Sequence, residues 1–250
     1  MSRLADVRAA AATAQDLLAT GAVRPLRALV ANAGWSSADT RVASADGYEM
    51  DFAVNYLAHA QLIGDLHHRG LLVAPARIVL LGSNLYSPGR PQRMMGIPGP
   101  QWRDPVELAR PAVGETSPGT RAAGVAYANA KLAILYYAHE LQRRVGDGIS
   151  VSAFEPGYMP GSGLSRQQGP AIQAISRAVA RFPGVASPAR SAPALASIAL
   201  DDRWAHLRDG AFVVIDKETE LAPFAHDRDR ELRLWEATVE LLEKAALADR

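Results

Sequence analysis

The sequence contains no cysteine. That excludes disulfides and thiolate-held metals, and it fits a reducing compartment. An excess of charge of one sign is also missing, because 27 Lys and Arg stand against 26 Asp and Glu, a net charge of +1. Such a balance gives no electrostatic reason to expect nucleic acid or an anionic membrane as partner. No apolar run approaches a membrane span, and the opening stretch MSRLADVRAAAATAQDLLATGAV lacks the apolar core of a signal peptide. The expectation is therefore a soluble, cytoplasmic protein. No His or carboxylate cluster has ligand spacing, so no metal site is expected. Ahead of residue 127 there is no glycine-rich loop of the kind that holds a pyrophosphate.

What is present alternates between two periodicities. Residues 3 to 20 carry an apolar stripe of Leu4, Val7, Ala11, Ala14 and Leu18, which predicts an amphipathic helix. LRALVANAG then reads as a buried strand closed by a tight turn. DGYEMDFAVNYLAHAQLIGDLHHRG predicts a helix, with Asp46 as its N-cap and Gly70 as its terminator. ARIVLLGSN, GISVSAFEPG and GAFVVID predict three further strands. Residues 86 to 120 are rich in Pro, Gly and Arg, with a short helical stretch at QWRDPVELAR. Further helices are expected at YANAKLAILYYAHELQRRV, at 171 to 181, at 188 to 200, and at DRDRELRLWEATVELLEKA. Alternating strands and helices make the fold class α/β, a parallel sheet covered on both faces in one domain spanning 1 to 250.

The pentapeptide YANAK carries the first chemistry. Tyr127 and Lys131 are four apart on a helix, so they share a face. A phenol beside an ammonium is a plausible proton donor, since the cation stabilises the phenolate. Such a pairing is typical of enzymes that move a hydride to or from a nicotinamide. Alone it is a weak signal, because a Tyr and a Lys four apart are common on any helix.

Order strengthens it. NAG at 32 to 34, VNYLAH at 54 to 59, GSN at 82 to 84, YANAK, and PG at 156 and 157 occur in a sequence that resembles the short-chain dehydrogenase/reductase family. The long gap between Ser83 and Tyr127, the stretch AFEPGYMPGSGLSR and the closing LWEATVELL look most like its retinol-dehydrogenase and protochlorophyllide-reductase-like branch. The resemblance implies a doubly wound, Rossmann-like sheet and an NAD(P)-dependent oxidoreductase interconverting a carbonyl and an alcohol. It places the catalytic tetrad on Asn55, Ser83, Tyr127 and Lys131. Tyr127 would be the acid or base, and Lys131 would lower its pKa and hold the nicotinamide ribose. Ser83 would polarise the substrate oxygen, and Asn55 would position a water beside Lys131. Cofactor contacts, to NADP or NAD, would fall on Asn32, Ala33, Gly34, Lys131, Pro156 and Gly157. His59 matches a frequent family position but reads more readily as a satisfied helix histidine than as a catalytic one.

One part of the family pattern has no counterpart. A first strand, a TGxxxGxG turn and two more strands would precede NAG, whereas SRLADVRAAAATA already resembles the helix after the third strand. The gap is on the order of 60 to 70 residues, at about 30 per βα unit. Gly157, Gly161 and Gly163 spell a phosphate-loop pattern, but Pro156 and Pro160 interrupt it and the PG turn explains it better. The expectation is thus a partial sheet lacking strands 1 to 3, with cofactor binding impaired. The exposed edge of strand 4 would be covered by a second copy or a partner chain. Met94, Met95, Ile97, Trp102, Tyr158 and Met159 either line an apolar substrate site or pack the loops. Two other readings stay open: a cofactor-free acid–base enzyme such as a dehydratase or cyclase, and a non-catalytic partner subunit.

Overall fold

The apolar runs become strands of one sheet. The computed structural model describes residues 1–114, 118–157, 159 and 186–249. Strands β1 (Leu26–Ala31), β2 (Leu72–Leu81), β3 (Ile149–Glu155) and β4 (Ala211–Val214) run parallel and lie side by side in that order. A short β5 (Lys217–Glu218), absent from the sequence reading, returns antiparallel along β4. Among the described residues β1 pairs only with β2, so its outer edge carries no partner strand. Three of its apolar side chains, Ala28, Leu29 and Val30, are only half-buried there.

Helices cover both faces, as continuous apolar strands require. On one face lie α1 (Leu4–Ala19), α2 (Met50–Phe52), α3 (Ala58–His68), α6 (Gly119–Gln142) and α8 (Arg228–Ala248). The other face is covered by α7 (Pro188–Leu200), whose Ile198 joins Val79, Leu81, Phe154 and Val213. The helix α6 is buried at every position from Ala128 to Leu141. A helix apolar on all sides belongs between layers, and here β3 lies on one side of it and α8 on the other. Tyr137 stacks on Trp235 of α8 at 5.6 Å, and the buried Glu140 takes Arg143, Arg144 and Arg228.

The segment between Ser83 and α6 holds two short helices, α4 (Arg90–Met94) and α5 (Pro105–Leu108). Trp102 packs edge-on against Tyr136, with ring centres 4.9 Å apart, so it serves the core. Met94 and Met95 are instead exposed. Tyr158, Gly161, Gly163 and the helix expected over 171–181 lie outside the described residues. Among the described residues no helix is long and apolar enough to cross a membrane.

Helix starts differ from the sequence reading in one instructive way. Asp46 does not cap the helix that follows it. Its Oδ2 accepts the Leu4 N–H at 2.9 Å and so caps α1 across the fold. The cap of α2 is Glu49, whose carboxylate accepts the N–H groups of Asp51 and Phe52. A capping rule sees only neighbours in sequence, while the N–H that Asp46 meets is forty-two residues away. Gly70, at φ +67, does end the run after α3, since the left-handed conformation suits glycine. Replacing Asp46 with Ala should cost about 1 kcal/mol and Asp46→Asn much less. Urea unfolding of the variants checks this, and equal stability of Asp46→Ala and wild type would show that the cross-chain cap contributes nothing.

Candidate active site

In an open parallel sheet, ligands meet the carboxyl ends of the strands, where turns rather than side-chain layers form the surface. Each of the neighbouring strands β1, β2 and β3 ends here in a turn that the sequence reading marked. The β1 turn, Asn32 to Gly34, is held from behind by one helical run. Between α2 and α3 that run passes through a π-type turn, Ala53–Leu57. Asn55 sits in it, fully buried, with its Oδ1 accepting the Trp35 N–H at 2.7 Å and its Nδ2 donating to the Trp35 carbonyl at 2.8 Å. π-type turns recur at functional sites. Both ends of the Asn55 amide are thus engaged by backbone, which pins the start of the loop after β1.

His59, on the same run, places Nε2 at 2.8 Å from the Ala33 carbonyl. Burial lowers its pKa to about 4, so the ring is neutral and must carry its proton on Nε2 to make that bond. His59 is therefore a structural clamp. Asn32 and Gly34 themselves face solvent.

The β2 turn carries Ser83. Its neighbour Gly82 admits no side chain, because a Cβ there would lie 2.9 Å from the Phe212 ring. The Ser83 Oγ accepts the Leu85 N–H at 3.2 Å, which fixes the start of a short 3-10 turn at Asn84–Tyr86. Facing it from α6 are Tyr127 and Lys131, one helical turn apart. The Lys131 Nζ lies 5.6 Å from the centre of the Tyr127 ring and donates to the Leu81 carbonyl at 2.8 Å. Lys131 is buried and Tyr127 half-buried. A hydrogen bond from Ser83 acts on the Tyr127 phenol. The structure therefore brings Ser83, Tyr127 and Lys131 together, with Asn55 one layer behind.

The β3 turn adds a group that the sequence reading passed over. Glu155, the last residue of the strand, is buried, and its carboxyl oxygens accept the N–H groups of Asn84 and Gly157, the latter at 2.9 Å. The signal was there in FEPG, an acid closing an otherwise apolar strand, where a buried charge needs a partner. Pro156 and Gly157 follow. Gly157 has φ +83, and a Cβ on it would meet the Ala186 Cβ at 2.7 Å, so the turn demands glycine twice over.

The electrostatics are those of a dry site. Burial pulls the Lys131 pKa down to about 8, against the pull of Glu155 and Asp51. Burial, with the same two carboxyls, pushes the Tyr127 phenol above its ordinary value, which the Ser83 hydrogen bond partly offsets. Asp51, on α2, is raised to about 8 by burial and by Glu49, although its Oδ1 accepts the Ser37 N–H at 2.8 Å. A neutral phenol, a lysine poised near neutrality and a hydroxyl form a set able to give or take a proton at an oxygen.

A dinucleotide fits this surface in part. Lys131 spends one of three ammonium protons on Leu81, which leaves donors for a ribose diol beside Tyr127. The Asn32–Gly34 turn opens to solvent next to it. These suit the nicotinamide half. Among the described residues no glycine-rich turn opens a helix to receive the pyrophosphate.

Known proteins share parts of this sequence and its fold. No protein-family model matches the chain. A short-chain dehydrogenase of the fungus Talaromyces variabilis is 29% identical over 203 residues, which are 67% of this chain and 53% of that protein. Human retinol dehydrogenase 13 is 33% identical over 113 residues, 45% of this chain and 29% of the relative. The chain thus spans about half the length of the first and less of the second. Among solved structures, the 3-alpha-hydroxysteroid dehydrogenase of Pseudomonas sp. B-0831 complexed with NADH has a TM-score of 0.56 at 20% identity. That likeness covers 86% of this chain and 79% of the other, and it shows the fold. The chain is thus similar in sequence to short-chain dehydrogenases, retinol dehydrogenases among them, and shares their α/β fold.

Proposed function

We propose that the chain carries the catalytic half of an NAD(P)-dependent oxidoreductase that interconverts a carbonyl and an alcohol on an apolar small molecule. The observation that carries this reading is the convergence of Ser83, Tyr127 and Lys131 at the carboxyl end of β2, with the lysine 5.6 Å from the phenol ring. The cofactor would supply or accept the hydride. In reduction, Tyr127 hands its phenolic proton to the carbonyl oxygen as negative charge grows there. Ser83 holds that oxygen in place, and the Lys131 ammonium stabilises the phenolate left behind. Lys131 and the open Asn32–Gly34 turn would hold the nicotinamide ribose, with Ala33 fixed by His59 beneath. Pro156 and Gly157 would bound the far side of the nicotinamide.

Binding of the nucleotide by this chain alone should be weak, because a helix N-terminus aimed at the pyrophosphate supplies much of the affinity in such folds. Among the described residues the outer edge of β1 is unpaired, which favours a second reading of the assembly, in which a further strand from another copy or another chain completes the sheet there. A NADPH titration by nucleotide fluorescence is expected to saturate only near millimolar concentration. Tight binding would sink the idea that half the cofactor site is wanting.

Two kinetic outcomes test the chemistry. With millimolar NADPH and an apolar aldehyde, Tyr127→Phe should fall in kcat by roughly 10²- to 10⁴-fold while the circular dichroism spectrum stays unchanged. Turnover that survives strict nucleotide depletion would move the assignment to cofactor-free acid–base work. The pH dependence has a definite sign. Lys131 loses its proton as pH rises through about 8, and the charge that stabilises the phenolate goes with it. Reduction should therefore be fastest below that value and decline above it, and a rate that climbs through pH 9 would contradict the assigned role of the lysine.

A further inference from the structure

Lys131 is a buried cation with a single hydrogen bond shown, to the neutral Leu81 carbonyl. Such a group needs an anion nearby to stay charged. The ionisable groups acting on it come from separate elements: Asp51 from α2 with Glu49 behind it, His59 from α3, Tyr127 from its own helix, and Glu155 from β3. From β2 it meets the Leu81 carbonyl. His59 is neutral and Tyr127 keeps its proton, so the choice of counter-ion lies between the two carboxyls.

Their surroundings differ in a way that decides it. Asp51 receives one backbone N–H, from Ser37, and its Oδ2 is buried without a partner among the described residues. Glu155 receives a backbone N–H on each oxygen, from Asn84 and from Gly157, and these work against burial, which pushes its pKa up. Backbone donors favour the charged form of a carboxyl, and an orphaned oxygen disfavours it. Those two N–H groups belong to different turns. Asn84 follows Ser83 at the end of β2, and Gly157 ends the turn after β3.

We propose that Glu155 is a positioning residue: its carboxylate latches the Ser83 turn to the Gly157 turn and stands as the counter-charge to Lys131. The catalytic consequence rests on the oxidoreductase reading, but the electrostatic part does not. The chain has only three lysines, Lys131, Lys217 and Lys244, so each ammonium can be followed by NMR without any cofactor or substrate.

In Glu155→Gln the Lys131 titration midpoint should fall by about one pH unit or more, since loss of an opposite charge that acts on a buried cation lowers its pKa by that order. In Glu155→Asp the midpoint should hold. The shorter side chain cannot reach both turns, so kcat should drop roughly 10- to 100-fold through misplacement of Ser83. An unmoved midpoint in Glu155→Gln overturns the counter-charge, and an unchanged kcat in Glu155→Asp overturns the latch. Should Glu155→Gln fail to fold, Asp51→Asn carries the test. A full-unit fall of the Lys131 midpoint there would give the counter-charge to Asp51 and overturn the proposal, and no fall would leave it with Glu155. If wild type shows no reductase activity, the functional reading fails while the lysine titration still decides this one.

Discussion

The arrangement depends on one buried ammonium. Lys131 points from the middle of α6 into the carboxyl end of the sheet, where its Nζ meets the Leu81 carbonyl. Taking a cation out of water costs several kcal/mol unless partners replace the lost hydration. Here the replacement comes from the strand ends, where the Leu81 carbonyl accepts from Lys131 and the Glu155 carboxyl acts on it, although both residues still pair within the sheet.

That constraint explains why α6 is so apolar on every side. A helix that must present a lysine to a sheet terminus has to lie flat across the strands. Small residues such as Ala128, Ala130, Ala133 and Ala138 allow that close approach. Its outer side is then closed by α8, whose Leu234, Ala237, Leu241 and Ala245 form the covering stripe. Tyr48 reaches over to donate to the Leu241 carbonyl at 2.7 Å and ties the loop before α2 into the same layer. The Gly82 and Gly157 turns complete the fit, each passing too close to a neighbouring side chain to carry its own.

Much of this was legible in the sequence. The strands from VANAG to GAFVVID announce themselves by apolar runs closed by turn residues, and YANAKLAILYYAHEL by its length and composition. What failed to show was whatever depends on residues far apart. Asp46 looks like the start of its own helix and in fact caps another, because the deciding N–H arrives with the fold. Trp102 sits in a loop that could have lined a substrate site, yet its ring finds Tyr136. The amide of Asn55 binds the Trp35 backbone, a pairing across twenty residues that no local spacing reveals. Glu155 was hidden by its setting next to a familiar PG turn, although an acid closing a buried strand is the kind of residue that a polar accounting should have stopped at.

The sheet edge faces the same need for polar partners. β1 is apolar enough to be a central strand, and in this structure it is an outer one with half-buried side chains. Edge strands ordinarily carry charges, prolines or bulges that discourage pairing. β1 has Arg27 and a register irregularity near its start, but Ala28 to Ala31 offer no such device. Among the described residues its outer backbone is unpaired, and it leads into the Asn32–Gly34 turn, so any strand that pairs with β1 would stand beside that turn.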